Sequence, residues 1–291
     1  MAQHSDENYI QEGEVTLEDK TSVFLQFSDG VCDLLNLYDI KIIDINIGMP
    51  VPKNEVTSFS GSRGQKLLTH SYDAFPIVFN FDYFAKNLND LILIETELRE
   101  LFNKEAEYYF IYTKEPGKRY PVILESITPS RKAFFKGNFS VSFSVYKGCS
   151  ESMATTLSEF SLDEEWQFSQ GLEAGDYKYA HNSSRFQIFN AGSFEIDPRE
   201  SYLKIILEGE SEGEATVFNR TTGDRFIYYP SLSENLGQTL TIESVYPKVN
   251  GINCGIDTNH ALITLAPGIN EIEIQNITRV KSSWDFRFLY K

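Results

Sequence analysis

The stretch Phe139-Ser140-Val141-Ser142-Phe143-Ser144-Val145-Tyr146 sets a bulky apolar or aromatic residue at every second position, with serine between. Side chains of a strand point to opposite faces in turn, so Phe139, Val141, Phe143 and Val145 are expected on a core and the three serines towards solvent. The same rhythm recurs upstream. Ile77, Phe79, Phe81 and Tyr83 alternate with Val78, Asn80 and Asp82, which predicts a strand buried on one face and partly on the other. In Ile43-Asp44-Ile45-Asn46-Ile47 the isoleucines are expected to share a face. Residues 108–112 and 120–127 add two strands, joined through the turn signal Lys114-Glu115-Pro116-Gly117-Lys118.

One segment departs from this period. Leu91, Ile94, Leu98, Leu101 and Phe102 recur at helical spacing, with Glu97, Glu100 and Lys104 on the other side. Asn89 is expected to cap that helix, Asp90 and Glu95 to lie near its positive end, and Glu100 to pair with Lys104.

Composition agrees with a mainly β chain. Its 291 residues suffice for two cores, and 38 Phe and Tyr stand against 12 Ala, which excludes an all-helical protein. The formal charge is −16, divided as −6 over residues 1–150 and −10 over 151–291. Neither half carries the basic footprint of a nucleic-acid binder. The polar, acidic start lacks the basic and apolar regions of a signal peptide, and no apolar run approaches the roughly 20 residues that cross a bilayer. Cys32, Cys149 and Cys254 are scattered and odd in number, which reads as three buried free thiols of a protein made in a reducing cytoplasm.

The organisation expected is an acidic arm over residues 1–30, a β domain with one α-helix over 31–150, a linker over 151–184 and a second β domain over 185–291. In the last, short strands are expected at 186–189, 202–207, 215–218, 226–229, 240–245, 262–265, 271–274 and 284–290. Turns at Thr221-Thr222-Gly223-Asp224, Asn250-Gly251 and Pro267-Gly268-Ile269-Asn270 separate them. Such spacing is that of a β-sandwich or jelly roll.

Catalytic constellations are not found. His4, His70, His181 and His260 make no i,i+4 pair, Cys149 has no neighbouring partner, and there is no G-x-S-x-G elbow. Gly61-Ser62-Arg63-Gly64-Gln65-Lys66 lacks the phosphate-loop spacing and reads as a glycine-punctuated turn or close-approach loop between strands. Glu95/Glu97 and Glu271/Glu273 read as solvated faces rather than acid/base dyads. No catalytic, cofactor-binding or metal-binding residue is assigned. The tryptophans could stack on sugars. Trp284 lies in an apolar stripe and reads as core, whereas Trp166 lies in the polar linker and is the candidate sugar-stacking residue.

The order of these segments resembles the distal tail proteins of long non-contractile-tailed phages of Gram-positive hosts. In the first half a strand over residues 37–44 leads through Pro50-Val51-Pro52 to the loop Phe59-Ser60-Gly61-Ser62-Arg63-Gly64, where that family usually carries a Gly-Arg-Asp-Gly-like form. A strand over 72–79, the helix, the strand beginning Tyr108 and the alternating strand from Phe139 follow. In the second half Phe186-Gln187-Ile188-Phe189-Asn190-Ala191-Gly192, Asn219-Arg220-Thr221-Thr222-Gly223, Val249-Asn250-Gly251 and Leu265-Ala266-Pro267-Gly268-Ile269-Asn270 match in order. About 30 residues precede the first matching strand, and no insertion suggests an added carbohydrate-binding module.

The resemblance implies a β-sandwich-like N-terminal domain that closes into a hexameric ring, and an outward-projecting, galectin-like C-terminal sandwich. It implies a structural virion protein without enzymatic activity, cofactor or metal, made in the host cytoplasm and placed at the tail tip. The implied partners are further copies of the chain, the major tail and tape-measure proteins, and a tail-associated lysin or hub protein. DNA would pass through the ring without specific binding, and no membrane insertion is implied. Phe59, Gly61, Arg63 and Gly64 are the candidate ring contacts. A carbohydrate-binding tail adhesin, using Trp166 on host cell-wall saccharide, is the alternative.

Overall fold

Strand pairing around the serine-alternating segment organises the N-terminal half. Successive strands are β1 (Val23–Phe27), β2 (Gly30–Asp33), β3 (Ile40–Ile47), β4 (Val51–Thr57), β5 (Lys66–Asp73), β6 (Phe75–Phe84), β7 (Tyr108–Tyr112), β8 (Lys118–Ala133) and β9 (Lys136–Val145). Two helices interrupt them, the single turn α1 (Leu34–Leu37) and the four-turn α2 (Leu88–Phe102). The computed structural model describes residues 22–37, 40–61, 63–115, 117–133, 135–158 and 177–291. The chain divides into two compact units that meet in sequence at Glu151 and Ser152, within the short strand β10 (Ser150–Ser152).

In the first unit β6 and β9 run antiparallel in unbroken register from Phe75↔Val145 to Phe84↔Lys136. The sheet continues on both sides in the order β2-β1-β7-β8-β9-β6-β3. β8 turns the corner: Tyr120 and Val122 pair with β7, and from Ile123 onwards the strand pairs with β9. The two halves thereby share one aromatic core, with Phe79 and Phe143 set 6.1 and 5.6 Å from Phe110 between ring centroids. Leu91, Ile94, Leu98 and Phe102 of α2 close that core. These are the helical-period residues read from the sequence, with Leu101 only partly buried.

Local details depart from expectation for identifiable reasons. The cap of α2 is Asn87, whose side-chain oxygen accepts from the Asp90 N–H at 2.9 Å, so the helix begins two residues before an Asn89 cap would allow. Lys104 lies beyond the helix end, with its ammonium 5.5 Å from the Phe27 ring centre. In β3 a bulge between Ile42 and Asp44 inserts Ile43 as an extra residue. Ile43 therefore faces solvent, while Ile45 and Ile47 pack on the core. Residues 23–27, within the stretch expected as an arm, form β1, and Val23 and Leu25 are fully buried.

Among the buried charges of this unit, two lie beside α2 and β8 with their partners. Glu95, read as solvated, is 5% exposed. It accepts from Tyr83 Oη at 2.8 Å and from Arg131 Nε at 3.2 Å, with Arg99 3.6 Å away. Tyr83 can reach it because its ring lies across Gly137, where any Cβ would stand 2.0 Å from the tyrosine Cζ. Asp82 is held by Lys132 and Lys136 at 3.2 and 2.6 Å. Burial opposes both charges, but the hydrogen bonds and cations around each carboxylate outweigh it and hold both groups below their ordinary range.

The second unit is a two-sheet β-sandwich. Its strands are β11 (Ala180–His181), β12 (Arg185–Asn190), β13 (Leu203–Glu210), β14 (Ala215–Asn219), β15 (Arg225–Tyr228), β16 (Leu240–Glu243), β17 (Tyr246–Val249), β18 (Ile252–Asn253), β19 (Gly268–Gln275), β20 (Thr278–Phe286) and β21 (Leu289–Tyr290). One sheet runs β11-β20-β13-β16-β17-β18 and the other β12-β19-β14-β15. Trp284, Phe286, Phe288 and Tyr290 are buried as their alternation requires. The mainly β class, with one sandwich-like and one sandwich unit, is the fold read from the sequence.

Residues 262–265 form no regular strand. Three fully buried asparagines, each from one of the quoted motifs, hold the chain there instead. Asn190 Nδ2 donates to the Leu265 carbonyl at 3.1 Å, Asn219 Nδ2 to that of Thr264 at 2.7 Å, and Asn270 both accepts from and donates to the Ala266 backbone at 2.9 and 2.8 Å. Leu265 also bridges Ile196 through backbone bonds of 2.9 and 3.1 Å, and the Thr264 N–H donates to Asp224, so the amides supplement a single bridge in satisfying buried backbone groups.

Both clusters make measurable predictions. Glu95→Gln should cost about 2 kcal/mol at neutral pH, read by denaturant titration. Because the folded-state pKa of Glu95 is depressed, its contribution is complete above the ordinary value of 4.5 and is lost as pH falls through the lower folded value. The gap between variant and wild type should therefore close below pH 4.5. Asn270→Ala, which orphans the Ala266 amide and carbonyl, should lower stability of the second unit by about 2–3 kcal/mol in the same assay.

Candidate interaction surface

β4 and β5 belong to neither of the larger sheets. They pair only with each other, from Val51↔Asp73 to Thr57↔Lys66, with a bulge between Glu55 and Val56. The ribbon leaves the first unit where β3 ends and β6 begins, a junction fixed by the Gly48 N–H donating to the Pro76 carbonyl at 2.9 Å. A Cβ at position 48 would approach that oxygen to 2.8 Å, so the close crossing requires glycine. A single strand expected over 72–79 is thereby split, with Asp73 ending β5 and Phe75 opening β6.

All but Thr57 and Tyr72 of the two strands are exposed. Val56 and Leu67 face each other across the ribbon, and Leu68 stands beside the bulge. Phe59 is 58% exposed at the tip, and Met49 at the root is 84% exposed. A two-stranded ribbon is marginal alone in water, and contiguous apolar exposure marks surfaces that other molecules cover. Internal support comes from polar groups: Lys53 lies 3.5 Å from Asp73, and His70 Nδ1 lies 2.5 Å from Asn54 Oδ1.

Phe59, Gly61, Arg63 and Gly64 lie together at this tip. Gly61 and Gly64 take φ of +85° and +72° with open space where a Cβ would be, so the turn, not a close approach, is what demands glycine. The turn is also positively charged within an acidic chain. Between Glu55 and Asp73 there is no acidic residue, and neither Arg63 nor Lys66 has an acidic partner among the described residues. Sequence reasoning found the tip but missed the apolar flanks Val56, Leu67 and Leu68. Their signal was the loss of alternation in Lys66-Leu67-Leu68-Thr69, which a bulge produces. Trp166 lies outside the described residues.

The remaining reactive groups are engaged. Arg119 donates twice to Glu151, at 2.9 and 3.2 Å, and its guanidinium carbon stands 3.8 Å from the Tyr109 ring centre. Cys32, Cys149 and Cys254 form no disulfide and are buried, and burial pushes the Cys32 thiol up to about 12. Among the described residues no group of His, Cys, Asp or Glu could hold a metal ion. No helix there is long and apolar enough to cross a membrane.

Residues 32–145 match the phage tail protein RIFT-related domain. No curated protein matches the chain. Among solved structures, the SPP1 Dit (gp 19.1) protein, described as a paradigm of the hub adsorption apparatus in phages infecting Gram-positive hosts, matches with a TM-score of 0.64 at 12% identity. That match covers 92% of this chain and 99% of the other. The phage P2 baseplate in its activated conformation with Ca also matches, at a TM-score of 0.47 and 13% identity over 92% of this chain and 98% of the other. The chain therefore shares the fold of the SPP1 Dit protein, and its residues 32–145 match the phage tail protein RIFT-related domain.

Proposed function

We propose that this chain is a structural component of the virion tail tip, six copies of which close into a ring joining the tail tube to the tail-tip hub. The observation that carries the reading is the fold likeness to the SPP1 Dit protein, which spans both units rather than one domain alone. The first unit, which holds the matched tail-protein domain, is the ring former. The second is a sandwich, and the chain works by assembly and shape without a reaction. Its partners in this role are the tail tube with its tape measure on one side and a hub or tail-associated lysin on the other.

Electrostatics supports the role. A ring that passes DNA must not retain it, and the −16 charge repels a phosphate backbone. A head-to-tail ring also needs two different surfaces on each copy. The exposed ribbon supplies one of them.

Native mass spectrometry of the purified chain at micromolar concentration should show a six-copy species, and a filter-binding assay should show no retention of double-stranded DNA at about 50 mM salt. A strict monomer, even with its hub partner present, would remove the ring reading.

A further inference from the structure

The outer face of the smaller sheet in the second unit carries polar groups that the fold does not use. β12 and β19 pair without a bulge from Arg185↔Glu273 to Asn190↔Gly268. Ile188, Asn190, Asn270 and Ile272 point into the sandwich and are buried, so the residues between them point outward. The outward pairs form three rows. In the first, Phe189 stands opposite Ile269, which is 54% exposed. The exposed Tyr177 ring lies flat on Phe189, with centroids 4.2 Å apart and planes 13° from parallel. In the second row Gln187 stands opposite Glu271, and both are exposed. In the third, Arg185 donates to Glu273 at 3.1 Å from a side chain that is 73% exposed.

The middle row is unspent. Neither the Gln187 amide nor the Glu271 carboxylate has a side-chain hydrogen bond among the described residues. The backbone beneath them is fixed: the Glu271 N–H donates to Thr221 Oγ1 at 2.9 Å, and its carbonyl accepts from the Arg220 N–H at 2.8 Å. Tyr177 is placed by its neighbour two residues on. The Tyr179 hydroxyl donates to the Phe189 carbonyl at 2.9 Å, and the Tyr179 carbonyl accepts from the Trp284 N–H at 2.8 Å.

This chemistry selects a ligand class. A flat aromatic surface takes the C–H face of a sugar ring, and planar amide, carboxylate and guanidinium groups match sugar hydroxyls. Charge narrows the choice. β12, β19 and the segment 220–225 carry Arg185, Arg220 and Arg225 against Asp224, Glu271 and Glu273, a neutral balance that favours neither a polyanion nor a polycation. The three rows span roughly 13 Å along the strand, which suits an oligosaccharide rather than a single sugar.

We propose that this face binds a neutral oligosaccharide, with one ring stacked on Tyr177, the next hydrogen-bonded by Gln187 and Glu271, and Arg185 at the far end. The inference stands on the second unit alone and does not depend on the ring reading.

Saturation-transfer NMR on the full chain tests this, with cellotetraose, maltotetraose and tri-N-acetylchitotriose as neutral probes and a glycerol phosphate polymer as the anionic one. A neutral probe should bind, take up saturation mainly on its ring C–H protons, and keep its affinity up to about 0.5 M salt. Tyr177→Ala should weaken that binding about tenfold, whereas Tyr177→Phe, which keeps the stacking surface, should not. Gln187→Ala together with Glu271→Ala should also weaken it about tenfold. All three positions are exposed, so circular dichroism should stay that of the wild type. Silence from every neutral probe, binding that survives both sets of alanine substitutions, or a preference for the anionic polymer would overturn the proposal.

Discussion

The pairing of β6 with β9 is the constraint from which the first unit is built. Ten consecutive residue pairs run without a bulge, so the inward residues of both strands keep one phase over the whole length. Phe79, Phe81, Phe139 and Phe143 thereby meet as a continuous aromatic layer, and α2 and the β1/β7 half close on it from different sides. A one-residue slip would turn this entire set to solvent. Tyr83 and Gly137 pin the register at one end, since only glycine lets the tyrosine ring cross to Glu95. Rigidity there also sets the distance between the places where the ribbon and the helix leave the sheet.

Alternation made this pairing legible in the sequence, because period two over eight residues has one structural solution. What stayed hidden was local and depended on partners. The bulge at Ile43 reverses the phase of a strand, and nothing in a run of isoleucines marks which one is surplus. Asn87 and Asn89 are equally good caps by residue type, and Lys86 and Asp90 decide between them: the Lys86 N–H donates to Asp90 at 2.7 Å and ties the chain back ahead of Asn87. Residues 262–265 have strand composition, yet they make only a bridge from Leu265 to Ile196, and much of the remaining support comes from side chains distant in sequence, Asn190, Asn219 and Asp224. The ribbon was read as a turn because its exposure depends on belonging to no larger sheet, a tertiary fact.

The candidate contact residues follow the same logic. Glycines at 61 and 64 announce a turn from sequence alone, and Arg63 is placed by them. The apolar flank is invisible until the strands are seen standing apart from the core. In the second unit the motifs quoted for the resemblance converge as an amide clamp on 264–266, so their order reflects a requirement to satisfy buried backbone. That explains how segments individually weak in information can mark a fold when taken together: each asparagine is useless without the loop it holds.

Exposed strand edges invite indiscriminate pairing, and a ribbon of mixed leucines and valines would be a hazard if it offered a flat edge. This one does not. The bulge between Glu55 and Val56 twists it, and the bulge at Ile42/Asp44 does the same to β3 at the rim of the main sheet. Lysine and arginine at the tip add a charge penalty to any contact between two ribbons. Backbone strand addition is thus disfavoured at both edges, leaving side-chain contact as the way the ribbon can be covered. A side-chain contact that is apolar at its centre and cationic at its rim selects a surface with the opposite charge.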